Sequence, residues 1–244
     1  MVYNPTVGSG AGWARFETSS GLGQSFTVDW GDGKTDYYSE TQTCADHMYV
    51  GVNNNPSKKQ SYEIKISGTF KKISFMSSFT SESNYVSCVK EIKQWGTTGL
   101  EDVSFNGCYN LSKIAEPTES SFKNLNYINF NGCRNLEAIP ENLFLNCSKL
   151  TNFSQLFENC VSLTSIPRDL FDDCDNVTSF YRTFSGCENL TGEALPLWER
   201  VENGQTNDYI GTPNGENCYQ GCTSLTNYND IPTYWKENPE EIIY

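Results

Sequence analysis

The chain has 244 residues, enough for two modest domains or one elongated one, with a formal net charge of −13, 37% hydrophobic residues and 14% aromatic residues. Its cations come in short pairs such as Lys58-Lys59 and Lys71-Lys72, so it lacks the convergent positive charge that phosphates require, and nucleic acid is excluded as a partner. No run of about 18 apolar residues occurs, so no membrane insertion is expected.

The N-terminus, Met1-Val2-Tyr3-Asn4-Pro5, has no basic start leading into an apolar segment, so it does not read as a secretory signal. Two routes stay open: a leader removed before Met1, or release by another path, as for a virion component freed by lysis. Residues 1–72 read as short strands. Residues 13–16 form a brief one, and Ser25-Phe26-Thr27-Val28-Asp29-Trp30 a better one, alternating and rich in β-formers. Gly31-Asp32-Gly33 is a turn, because glycine supplies the positive φ of a tight hairpin. Tyr37-Tyr38, residues 47–50 and residues 62–66 continue the series, with a polar loop at 52–59. This spacing predicts a small β-sandwich.

Val28-Asp29-Trp30-Gly31-Asp32-Gly33, followed by His47-x-Tyr49 and Tyr62-x-Ile64-x-Ile66, resembles the PKD-like, immunoglobulin-type module over roughly the first 70 residues. The resemblance implies a spacer or binding module of an extracellular protein. Asp29, Asp32 and Asp36 are carboxylates of the kind hard cations take. Aspartate in such a hairpin more often serves turn hydrogen bonding, and no metal is assigned. His47 has no second histidine or partnered cysteine nearby and reads as a half-buried strand residue.

Residues 73–99 carry Ile73, Phe75, Val89, Ile92 and Trp95 at spacings that begin a coil without completing the pattern that follows, as an N-terminal cap would. From Leu100 one phrase recurs. It is Leu100-x-x-Val103-x-Phe105-x-x-Cys108-x-x-Leu111, then Leu125-x-x-Ile128-x-Phe130-x-x-Cys133-x-x-Leu136, then Phe157-x-x-Cys160-x-x-Leu163 and Phe184-x-x-Cys187-x-x-Leu190. Between the copies stand Ile139-Pro140, Leu143-Phe144 and Cys147, and again Ile166-Pro167, Leu170-Phe171 and Cys174. Leading apolar residues Leu100, Leu125, Leu150 and Val177 step by 25, 25 and 27 positions, and self-similarity at that period predicts a solenoid. Alternation turns Ile128 and Phe130 into the stack. Pro140 suits the start of a short helical piece on the opposite wall. Residues 191–244 hold an irregular repeat and the C-terminal cap: Pro196 and Trp198, a polar inserted loop at 201–216, Cys218-x-x-x-Cys222-x-x-Leu225, Ile231-Pro232 and Tyr234-Trp235, with a polar tail from 236.

Cys108, Cys133, Cys147, Cys160, Cys174 and Cys187 share one slot, before x-x-Leu or x-x-Val, and Cys222 is a seventh. No Cys-x-x-Cys pair occurs, so these read as buried thiols packed as small apolar groups rather than a metal site or disulfide framework. A link between Cys218 and Cys222 stays open.

With the repeats laid out, the region resembles the leucine-rich-repeat proteins of the BspA type, carried by the Phe-x-x-Cys-x-x-Leu blocks, the Ile-Pro-x-x-Leu-Phe blocks and the Asn-Gly-Cys or Ser-Gly-Cys turns. The resemblance implies surface proteins of gut and oral microbes that bind host matrix or other cells. Related repeats also occur in phage of such bacteria. The fold expected is mainly β with short helices: a β-sandwich over 1–72, then a leucine-rich-repeat solenoid over 73–244, with cap 73–99, repeats 100–190 and irregular end 191–244.

Residues flanking the buried strand pair point to the concave face: Asp102, Ser104 and Asn106, then Tyr127, Asn129 and Asn131, then Ser154 and Gln155, then Tyr181 and Arg182. Asn, Ser and Tyr give adaptable hydrogen bonding with flat aromatic contact, suited to protein surfaces or sugars; the alternative is a solvated face without a ligand. Three functions are weighed. A recognition or adhesion module at the cell surface fits the repeats and the acidic balance. A virion protein for host attachment or self-assembly is the alternative. An enzyme would need a constellation that one histidine in the head cannot assemble, so no catalytic residue and no cofactor is assigned. The expected partner is a protein or glycan on a cell or matrix surface, or assembly partners in a virion.

Overall fold

A computed structural model describes residues 2–3, 11–19, 21–50, 61–75, 89–96, 99–200 and 213–237. The polar loop at 52–59, most of the inserted loop at 201–216, the tail beyond 237 and Cys88 lie outside the described residues. The chain is mainly β, with open sheets.

Twelve strands are described: β1 (Val2–Tyr3), β2 (Ala11–Thr18), β3 (Ser25–Asp29), β4 (Thr35–Tyr38), β5 (Cys44–Val50), β6 (Tyr62–Glu63), β7 (Lys65–Thr69), β8 (Lys72–Ser74), β9 (Val89–Ile92), β10 (Asp102–Ser104), β11 (Lys113–Ile114) and β12 (Tyr127–Asn129). One α-helical turn, α1 (Thr233–Lys236), lies near the C-terminal end. The strands form three sheets, ordered β4-β3-β7, β12-β10-β8-β2-β5 and β11-β9-β1-β6.

In the head, the alternation read from the sequence sends Phe26 and Val28 inward from β3, next to Phe16 of β2 and Trp30 just beyond. Gly31 follows with φ +79°, and a side chain there would stand 2.8 Å from the Glu63 carbonyl, so both the turn and the close approach of the chain require glycine.

The second sheet changes character partway across. β2 runs antiparallel to β5 from Ala11↔Val50 to Glu17↔Cys44, and antiparallel to β8 at Glu17↔Ser74 and Thr18↔Ile73. β8 is then parallel to β10, and β10 to β12, with Ile73, Val103 and Ile128 in one row. One sheet therefore passes from the head into the repeats, and the boundary drawn at 72/73 falls inside its shared strand.

Beyond β12 the pairing continues as single main-chain bonds. The amides of Phe75, Phe105, Phe130, Phe157 and Phe184 donate to the carbonyls of Ser104, Asn129, Leu156, Thr183 and Cys218, each at 2.8 or 2.9 Å. The rings stack in the same order. Phe75 lies 5.2 Å from Phe105, and Phe105, Phe130, Phe157, Phe184 and Tyr219 follow at steps of 5.7 Å, their planes nearly parallel. Beside this row the Sγ of Cys133, Cys160, Cys187 and Cys222 donates to the carbonyl of Phe105, Phe130, Phe157 and Phe184, at 3.2, 3.2, 3.1 and 3.1 Å. All nine described cysteines are free, and every one except Cys44 is buried.

The later repeats carry two extra residues between the inward strand residue and the ring. A tight turn absorbs them: Leu156 and Thr183 donate back to Phe153 and Phe180, with Gln155 and Arg182 at φ +59° and +54°. This keeps Phe157 and Phe184 in line and places Gln155 beside Tyr181, whose carbonyl accepts the Gln155 amide at 2.7 Å. On the opposite wall, Pro140 and Pro167 start single turns rather than helices. Leu143 and Leu170 donate to the proline carbonyls at 3.2 Å, and Asn146 at φ +60° ends the first of these turns before a helix can propagate.

At the far end, Trp235 of α1 lies on the backbone of Gly215, where a β-carbon would stand 2.0 Å from the indole. Arg200 ties its segment back, donating to the Phe171 and Cys174 carbonyls at 3.1 Å each, with its guanidinium over the Phe180 ring. If the ring row sets the stack, Phe130→Ala will lose about 3–5 kcal/mol of unfolding free energy in urea titration. Tyr127→Ala, three residues away and 42% exposed, will change it by less than about 1 kcal/mol.

Candidate functional site

The strand face predicted from alternation divides into two kinds of residue. Ser74, Ser104 and Asn129 share one register row and are buried, at 3%, 5% and 5% exposure. Their neighbours explain why. Ser104 Oγ accepts the Asn106 amide at 3.4 Å and Asn129 Oδ1 accepts the Asn131 amide at 2.9 Å, each ending its strand in a side-chain turn. Asn152, Ser179 and Asn214 do the same for the amides of Ser154, Tyr181 and Glu216. The Ser/Asn ladder is thus largely turn chemistry, and Ser104 and Asn129 offer little to a ligand. Asp102, Asn106, Asn131, Ser154, Tyr181 and Arg182 are partly exposed, and Tyr127 and Gln155 exposed.

Three of these residues meet around a group that the sequence reading passed over. Glu158 follows Phe157 in the slot that Asn106 and Asn131 occupy earlier, and it is buried, at 5% exposure. Asn131 Nδ2 and Gln155 Nε2 both donate to its Oε2, at 2.8 and 2.6 Å. Arg182 Nε lies 2.7 Å from its Oε1, as an ion pair whose N–H is not aligned for a hydrogen bond. A carboxylate out of water needs such compensation, and here three side chains from three successive repeats supply it. The turn residues place them: the left-handed backbone at Gln155 and Arg182 brings both back over the strand end. The signal available in the sequence was an acidic residue in an Asn slot, with an arginine on the next repeat.

This arrangement holds amide and guanidinium groups in fixed positions. Among the described residues, Arg182 is held through Nε, with a third of its side chain exposed, so donor groups are oriented before any partner arrives. Tyr127 and Tyr181 stand on the same face. Tyr127 shares a row with Asp102 and Lys72, and partial burial raises its phenol, with the nearby Asp102 charge adding to the shift.

The head holds the second cluster of polar groups. Asp29 Oδ1 accepts the Gly31 amide, Asp32 Oδ1 the Lys34 amide, and Asp36 Oδ2 the Trp30 indole N–H, at 2.9, 3.0 and 2.8 Å. His47 stacks on Trp30 at 5.0 Å and contacts Asp32 Oδ2 through Nε2 at 2.9 Å, while Tyr49 donates to the Trp30 carbonyl at 2.9 Å. Each carboxylate thus serves the hairpin, and the described residues contain no group of three or more His, Cys, Asp or Glu that could hold a metal ion.

Burial alone would raise the Asp32 carboxyl, but the His47 hydrogen bond, the Lys34 amide and the His47 charge outweigh it and hold it below its ordinary value of 3.8. A carboxyl depressed by folding adds stability above its unfolded pKa and loses it as pH falls through the folded value. Asp32→Asn will therefore lower stability at neutral pH and flatten the acid limb below pH 3.8, read as melting temperature against pH. An unchanged acid limb would contradict the linkage.

No family model matches the chain, and no curated protein or solved structure is similar enough to it to count as a match.

Proposed function

We propose that the chain is a non-enzymatic recognition or adhesion protein of the cell exterior, which binds a protein or glycan surface through the strand face of its repeats. In this reading residues 73–244 are a leucine-rich-repeat solenoid of the BspA type and the head is a PKD-like spacer. The observation that carries it is the Glu158 cluster. A buried carboxylate is a costly feature that stability alone does not call for, since an apolar group of similar size is often as stable. What it achieves is rigidity: Asn131, Gln155 and Arg182 are held in place on a face that also carries Tyr127 and Tyr181. Fixed amide, guanidinium and phenol groups bind with little ordering cost.

Stacking by parallel repeats supports the same reading, because each added coil extends one face without changing its chemistry. Function then resides in which side chains stand on that face.

The test is binding of labelled protein to two panels, whole gut bacteria and host matrix glycoproteins with glycans. Tyr127→Ala will weaken the binding found by about tenfold or more without shifting the melting temperature, whereas Gln155→Ala will weaken it and also lower the melting temperature, since it takes a partner from the buried Glu158. Tyr109→Ala, equally exposed but on the turn after Cys108, will leave it unchanged. Binding to matrix or mucin points to an adhesin, and strain-selective binding to bacteria favours a virion role in host attachment, with adhesion between bacteria the other reading of that result. Silence on both panels, or binding indifferent to the face variants, overturns the proposal.

A further inference from the structure

A cleft of about 510 Å³ opens where the head meets the first repeat, away from the Glu158 cluster. Its floor is apolar and comes from both parts of the chain: Phe70 and Ile73 from the head side, Ile92 and Trp95 from β9 and the residues after it, Leu100 and Phe105 from the first repeat. Each is at most 5% exposed, so the floor is core material held by its own packing. Trp95 shows how firmly: its indole N–H donates to the Ala115 carbonyl at 2.8 Å, and its ring stands edge-on to Phe122 at 4.7 Å.

The rim is polar and its charge is unlike that of the chain. Residues 63–67 run along one side, and among the described residues β7 has a strand neighbour on one edge only, in the order β4-β3-β7. Lys93 Nζ pairs with Glu63 Oε2 at 2.6 Å. Lys65 also lines the cleft and has no ion-pair partner among the described residues. The lining itself thus holds two lysines against one carboxylate, on a chain whose net charge is −13, with Asp29 opposite Lys65 on β3 and Glu91 near Lys93 outside it.

A rigid apolar floor below a singly positive rim selects among ligands. A cation would meet two lysines, and a wholly polar molecule would leave the floor wet. Apolar space of this size, at a junction between structural parts and with a few convergent polar groups, is where small molecules bind. We propose that the cleft binds a small amphipathic carboxylate, a flat ring system or short chain bearing one acid group, with its apolar part on the floor and its carboxylate at Lys65. One charge contact at a half-exposed rim is worth roughly a factor of ten in affinity.

Calorimetric titration of the full chain with 2-naphthoate and with 2-naphthalenemethanol, the same ring system without the charge, tests this. The expected result is one saturable site for naphthoate, binding about tenfold more tightly than the alcohol. Lys65→Glu will remove that advantage while leaving the weak binding of the alcohol unchanged, and Lys65→Arg will keep it. Arg182→Ala will not affect it, which separates this site from the strand face. No saturable binding at roughly millimolar ligand, equal affinity for the two compounds, or a Lys65→Glu variant that binds naphthoate unchanged would overturn the proposal.

Discussion

Each Phe carbonyl in the ring row of the repeats faces inward, where no water reaches it, and is met by a cysteine thiol of the next coil. Cys133, Cys160, Cys187 and Cys222 each donate to the ring residue one repeat earlier, at 3.1 to 3.2 Å. Each of these carbonyls also accepts the amide three residues on, from Cys108, Cys133, Cys160 and Cys187 at 2.9 to 3.1 Å, so the thiol takes its second lone pair. Alanine would keep the amide bond and leave that second lone pair empty; cysteine fills the space and supplies a weak donor. The same geometry accounts for the constancy of the stack. Sequence steps from Phe105 through Phe130, Phe157 and Phe184 to Tyr219 are 25, 27, 27 and 35, yet the rings remain 5.7 Å apart, because segments outside the row absorb the difference. Burial lifts the thiols out of their reactive range, with Cys222 raised to about 12.

From that row the rest of the molecule follows. It begins in the head, since Phe75 stacks on Phe105 and touches Phe16 of β2 at 5.6 Å, so one aromatic chain joins the two cores. β8 makes the same junction in the backbone. The row ends where Tyr219 donates its amide to Trp235 and the indole closes over Gly215. A fixed row also fixes the outer face, and this is why Asn131, Glu158 and Arg182 of successive coils converge.

Much of this was legible in the residues. Periodicity located the ring row, and the repeated cysteine slot pointed to buried thiols, because both are properties of spacing alone. Alternation predicted which strand residues turn outward, but it could not separate a ligand contact from a turn. Ser104 and Asn129 look like face residues and are consumed by the amides two positions on. Glu158 was missed for the converse reason: little local marks a carboxylate as buried when two of its three partners lie 27 and 24 positions away. The turns at Gln155 and Arg182 hid the register, since a left-handed residue other than glycine or asparagine carries no compositional signature. The continuity through β8 was hidden too, because it joins strands 55 residues apart.

Thiol labelling resolved by cysteine tests the central claim most directly. If Cys133, Cys160, Cys187 and Cys222 are free thiols hydrogen-bonded in one packed row, they will resist alkylation in native buffer. All four will react fully once the chain is denatured without reductant. Prompt labelling of any of them in the native protein would place it outside the core. Failure to label after denaturation would mean that disulfides, rather than thiol-to-carbonyl bonds, hold the coils together.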